Sequence, residues 1–149
     1  MAGRAIQAVL RSADAYGGYE SEAGCQGNGT YPRNVCNHYA MGDDAQLVPI
    51  TPPQCEFVPV GIVPFTMPGS DEVADKVVEA LGSDGRSVLI KNHGMFCCGK
   101  DMKAAMAATV YTEEMATTAY YAKVLGNFEP MPEAGVKKMK ELIAADQAV

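Results

Sequence analysis

The run Ser87-Val88-Leu89-Ile90 stops abruptly at Lys91-Asn92-His93-Gly94, and this junction constrains the fold more than any other feature of the chain. A short unbroken apolar run bounded by turn residues predicts a strand covered on both faces, here over Ser87–Lys91. Such a strand needs a layer on each side, and the flanking sequence supplies two. Upstream, Ser70 reads as an N-cap with Asp71 and Glu72 in the first turn, where carboxylates favour the positive end of the helix dipole. Val73, Val77, Val78 and Leu81 then share one helical face, and Gly82 ends the helix. Downstream, Met95-Phe96-Cys97-Cys98 reads as a second short strand ended by Gly99, and Asp101 caps a helix running to about Leu125, with Gly126 at its C-terminal end. Met102, Ala105, Met106, Thr109, Val110, Met115, Ala116, Ala119 and Tyr120 form a stripe on that helix. A stripe so wide predicts burial on more than one side, against the sheet and another subunit.

Elsewhere the signals are shorter. Ile6, Val9 and Leu10 share a face in a helix expected over 4–14. From Tyr16 to Gly42, Gly, Asn, Tyr and Cys dominate and no period emerges, as in a long functional or poorly ordered loop. Leu47-Val48-Pro49-Ile50 reads as a short strand or extended segment, and Thr51-Pro52-Pro53 as a break. Phe57 to Phe65 carries Pro59 and Pro64, which donate nothing to a sheet ladder; it predicts an edge strand, or two short strands divided near Gly61. Asn127 to Pro132 is a linker before an amphipathic helix over Glu133–Ala145. Strands and helices interleave without internal repeats, which makes the class α/β.

At 149 residues the chain is expected to form one domain, 1–149, with apolar residues enough for an ordinary core. A net charge of −6 argues against nucleic acid, whose phosphates require clustered Lys and Arg. No apolar run reaches the length of a membrane span, and residues 1–15 lack a signal-peptide core, so a cytoplasmic address is expected. Five cysteines without a CxxC pair then read as reduced thiols.

His93 is the first candidate for chemistry. A lone histidine without context is more often a satisfied structural residue than a ligand. This one follows a buried strand and precedes Gly94, a residue able to take positive φ and so to aim the imidazole into a cleft at the sheet edge. Imidazole suits zinc, cobalt or manganese, and a catalytic site usually adds two further protein ligands and an open position. Tyr120-Tyr121 reads as core or subunit-interface packing.

The order of parts resembles a known family. Val63-Pro64-Phe65-Thr66-Met67-Pro68-Gly69-Ser70, a helix, the apolar strand ending in Asn92-His93-Gly94, the Gly99-Lys100-Asp101 turn and a long small-residue helix resemble the C-terminal half of class II aldolase/adducin proteins. The resemblance spans about residues 48–126, and residues 1–47 depart from the pattern. It implies a class II aldolase-like layered sheet with flanking helices, shortened at the N-terminus, and a metal-ligand role for His93. The family takes its other two ligands from a His-x-His pair upstream; the nearest equivalent here is Cys36-x-His38. Period-2 spacing puts both on one face of a strand, and zinc accepts sulfur as well as nitrogen. The plain alternative is a loop cysteine and a loop histidine.

The family's proton-transfer glutamate corresponds by position to Glu20 or Glu22, which otherwise read as solvated loop residues. Gly27-Asn28-Gly29-Thr30 has the composition of the family's phosphate loops, but it follows the glutamates where the family places those loops first, so no role is assigned to it. The function implied by resemblance is a divalent-metal aldolase (a lyase) using Zn2+ or another divalent cation on a small phosphorylated sugar or related hydroxy-carbonyl compound. Such enzymes are homotetramers with active sites between subunits. The alternatives are a non-catalytic adducin-like or truncated module serving assembly or binding, and a sugar-phosphate 4-epimerase.

Overall fold

The computed structural model describes residues 28–31, 42, 46–67 and 69–146. The helix expected over 4–14 lies outside them. Within them, strands β1 (Asn28–Tyr31), β2 (Val60–Val63), β3 (Ser87–Ile90) and β4 (Gly94–Cys97) form one sheet in the order β1-β4-β3-β2. β2 and β3 are parallel, with Val60 opposite Ser87 and Val63 opposite Ile90. The other two pairings, β3 with β4 and β1 with β4, are antiparallel. Helix α1 (Asp71–Leu81) makes the crossover between the two parallel strands. Helices α2 (Met102–Leu125) and α3 (Glu133–Asp146) complete the described chain.

All four residues of β3 are buried because each sheet face has its own cover. Val88, Ile90 and Phe96 point to one side and pack with Val63 against Val73, Ala74, Val77 and Leu81 of α1. Leu89, Met95 and Cys97 point to the other and meet Ala108, Met115, Ala116 and Ala119 of α2. The period-2 alternation of strand side chains divides them this way. Each fully buried large apolar side chain contributes roughly 1.5–3 kcal/mol. At Gly61 the packing of α1 on β2 leaves no room for a side chain, since a Cβ would stand 2.6 Å from the Ala80 carbonyl oxygen.

The caps follow the sequence. Ser70 Oγ accepts from Val73 N at 3.3 Å and Asp101 Oδ1 from Ala104 N at 2.7 Å, while Gly126 closes α2 in the left-handed conformation. β2 is an edge strand flanked by Pro59 and Pro64, continuous through Gly61 rather than divided there.

Several expectations are corrected. The aperiodic stretch from Tyr16 to Gly42 contains β1, including Asn28-Gly29-Thr30, and the partner for this strand is the exposed edge of β4 rather than anything local. Leu47 to Pro49 forms no strand and makes no ladder. Pro52 does not break the chain: it starts a 3-10 helix, Pro52–Phe57, because the first turn has no use for the N–H that proline lacks. Gln54 anchors this turn from a fully buried position. Its Oε1 accepts from Ile50 N at 2.8 Å and Thr51 N at 3.2 Å, and its Nε2 donates to Glu114 Oε1 of α2 at 3.2 Å.

The stripe on α2 is also split. Its small members, with Met115, form the sheet-facing side, whereas Met102, Met106, Val110 and Tyr120 are 41–51% exposed. Alanine and threonine let the helix approach the sheet closely, and the longer side chains are left on the outer face. Helix α3 buries none of its residues; Lys140 Nζ donates from it to Val58 O at 2.7 Å, and just before it Met131 N donates to Pro49 O at 2.9 Å.

Candidate functional site

The site is built where β3 ends. Lys91 N donates to Val63 O at 2.9 Å, which carries the parallel ladder one step beyond the strand. His93 N donates back to Ile90 O at 3.1 Å, so Ile90 to His93 form a tight turn with Lys91 and Asn92 at its centre. Asn92 has φ 58, and Gly94 begins β4 opposite Ile90 as an ordinary buried strand residue. The expectation of a left-handed Gly94 is therefore corrected. Reversal occurs at Asn92, because the turn hydrogen bond closes before Gly94 is reached.

His93 is half-buried, and its Nδ1 is shut off from solvent with no hydrogen-bond partner among the described residues. Buried polar atoms in folded proteins are nearly always paired, so an orphaned ring nitrogen calls for an explanation beyond packing among these residues. Burial also pushes the His93 pKa below its ordinary value. The ring thus stays neutral, the form that ligates a metal. Beyond the ends of β3 and β2, Lys91 Nζ donates to Gly42 O at 3.4 Å, and the buried Thr66 hydroxyl donates to Pro64 O at 3.0 Å and receives Lys76 Nζ at 3.5 Å. These contacts order the segments that follow β2 and β3, at the carboxyl ends of parallel strands where α/β folds tend to bind ligands.

Of the residues singled out in the sequence, His93 is placed; Glu20, Glu22, Cys36 and His38 lie outside the described residues. Among the described residues no three His, Cys, Asp or Glu side chains gather as a metal cluster. Among the described residues His93 is the one histidine. Asn92 was missed as a site-shaping residue, although an Asn two places beyond an apolar run is a recognisable sign of a left-handed turn. Cys55, Cys97 and Cys98 are buried free thiols, and burial raises the pKa of Cys55 and of Cys97. These three match the reduced thiols expected from the sequence.

The Class II Aldolase and Adducin N-terminal domain model matches residues 34–120, more than half of the chain. The match reaches upstream of residue 48 and takes in Cys36 and His38. Protein hu-li tai shao of Drosophila melanogaster is 26% identical over 97 residues, 64% of this chain and 8% of that protein. Among solved structures, YgbL from Escherichia coli superposes with a TM-score of 0.68 at 18% identity, over 92% of this chain and 64% of its own. L-fuculose 1-phosphate aldolase from Glaciozyma antarctica PI12 gives 0.65 at 18% identity, over 81% of this chain and 46% of its own. The chain thus spans less than two thirds of these relatives, and at such identities the structural likeness is one of fold. Together with the strand, turn and helix order around His93, the family match shows that the chain belongs to the class II aldolase and adducin family.

Proposed function

We propose that this chain, as one class II aldolase/adducin-like domain, is a divalent-metal-dependent aldolase cleaving a carbon–carbon bond in a small sugar phosphate. The observation that carries this reading is the sealed, unpartnered Nδ1 of His93 at the end of β3. The substrate class is drawn from the L-fuculose 1-phosphate aldolase among the chain's fold neighbours. His93 would hold the cation together with Cys36 and His38, both inside the family-matched segment. When bound, Zn2+ or a similar ion supplies Lewis acidity that polarises a substrate carbonyl. Glu20 or Glu22 accepts the hydroxyl proton as the bond breaks and returns it to the product carbon. His93, kept neutral by its burial, orients the site without taking up that proton. The exposed apolar side of α2 supports self-association, as in a tetramer with sites between subunits, and the free thiols suit a cytoplasmic address.

Metal analysis of the purified chain is the test. About one ion per chain, lost in His93→Ala together with cleavage of L-fuculose 1-phosphate, is expected of a three-ligand site. Binding should also weaken at acid pH, because both thiolate and imidazole must be deprotonated to ligate. A protein with no bound metal and no lyase activity would overturn the reading. It would leave the non-catalytic, adducin-like module, since the matched family model covers adducin as well as aldolases. Retained metal with stereochemical inversion in place of cleavage would point to the 4-epimerase alternative.

A further inference from the structure

We infer that Asn92 is a positioning residue: through its left-handed backbone it sets the direction in which His93 presents its ring at the end of the sheet. The inference rests on the reading of His93 as a ligand, but its geometry stands apart from that reading. Among the described residues Asn92 is the one non-glycine with positive φ. The chain on either side of it is pinned. Lys91 N is held by Val63 O, and His93 N by Ile90 O. Ile90 and Gly94 form the last pair of the β3–β4 ladder. Three residues must therefore reverse the chain between fixed ends, and the first of them is committed to β2. The change of direction falls on Asn92, and the φ at this central turn position decides how His93 leaves the turn.

A left-handed backbone is open to glycine without penalty and to Asn through its short polar side chain, whereas alanine resists it and β-branched residues resist it more. Variants therefore separate the backbone role from any role of the amide. Asn92→Gly keeps the turn and deletes the side chain. Asn92→Ala keeps a small side chain and opposes the turn.

The experiment uses the full chain and two readouts. Long-range 1H–15N spectra of the metal-free proteins at alkaline pH report the surroundings of the His93 ring nitrogens. Cobalt(II) titration reports ligation. We expect Asn92→Gly to reproduce the wild-type ring signals and cobalt affinity. Asn92→Ala should shift the ring signals and lose about tenfold or more in affinity, the usual cost of disturbing what orients a ligand, with circular dichroism unchanged. A merely structural role would lower the melting temperature and leave the ring signals of the folded protein in place.

The inference is overturned if Asn92→Ala matches wild type in the ring spectra, or if Asn92→Gly is as displaced as Asn92→Ala. If Asn92→Ala does not fold, Asn92→Ser takes its place under the same criteria. Wild type that binds no cobalt would remove the ligand reading, and the ring spectra would still decide the role of Asn92.

Discussion

The two ends of the β3–β4 hairpin carry buried polar atoms in opposite conditions. At the end away from the turn Ser87 is fully buried, yet its Oγ shares a hydrogen bond with Thr112 Oγ1 of α2 at 2.7 Å and accepts from Cys97 Sγ at 3.4 Å. Thr112 also reaches Ala108 O at 2.7 Å, and Thr109 Oγ1 donates to Ala105 O at 3.0 Å. At the turn end, His93 Nδ1 is sealed from water and unpaired among the described residues. A closed polar network fastens helix to sheet and has no capacity left for a ligand. An open one forgoes stability and keeps a lone pair available.

This contrast can be broken by mutation. Leu89 underlies both ends, so Leu89→Ala should cost about 2–5 kcal/mol in urea unfolding, the range for emptying a packed core site. A loss below 1 kcal/mol would mean that the strand is not the shared foundation. Ser87→Ala acts on the closed end alone. It removes the oxygen that Thr112 and Cys97 share, while Thr112 keeps Ala108 O, and should cost about 0.5–1.5 kcal/mol, with His93 ring signals unmoved. If the ring signals respond, the two ends are coupled and the comparison fails.

His93→Ala acts on the open end. In metal-free protein it should change stability by less than about 1 kcal/mol, because no paired hydrogen bond is lost. A larger loss would reveal a partner for Nδ1 and make the residue structural.

The smallest expected effect is a pH slope. The folded pKa of His93 lies below its ordinary value of 6.5, so the unfolded chain binds more protons as pH falls past that value. Stability should decline from about pH 6.5 downward through the folded pKa, and His93→Ala should flatten that part of the slope. Parallel urea titrations of the two proteins across this range make the comparison. An unchanged slope in the variant would show that other groups set it.

Much of the architecture was legible because local and global preferences agree. Ser70 and Asp101 cap the helices that the apolar spacing predicts, and Gly126 ends the longer one. Ser87 to Ile90 reads as doubly covered and is. The candidate site was legible in part: His93 stands out by its place after the strand, but the left-handed residue is Asn92 rather than Gly94. A glycine marks where positive φ is allowed, and only the closing hydrogen bond, His93 N to Ile90 O, shows where it is needed.

By itself, then, the sequence determined the covered central strand, the capped helices on either side of it and the histidine beyond its end. These depend on spacing and on side-chain chemistry that acts within a few residues. Tertiary structure decided the rest. β1 is a strand because β4 has an edge to pair with, and its own residues carry no period that predicts it. Met102 and Met106 of α2 face outward while Met115 is buried, because Ala105, Ala108, Ala116 and Ala119 allow the closest approach to the sheet, and no helical stripe reveals which of its members will make that contact. The orphaned Nδ1 of His93 likewise belongs to the fold, since whether a buried atom finds a partner depends on what long-range packing brings to it.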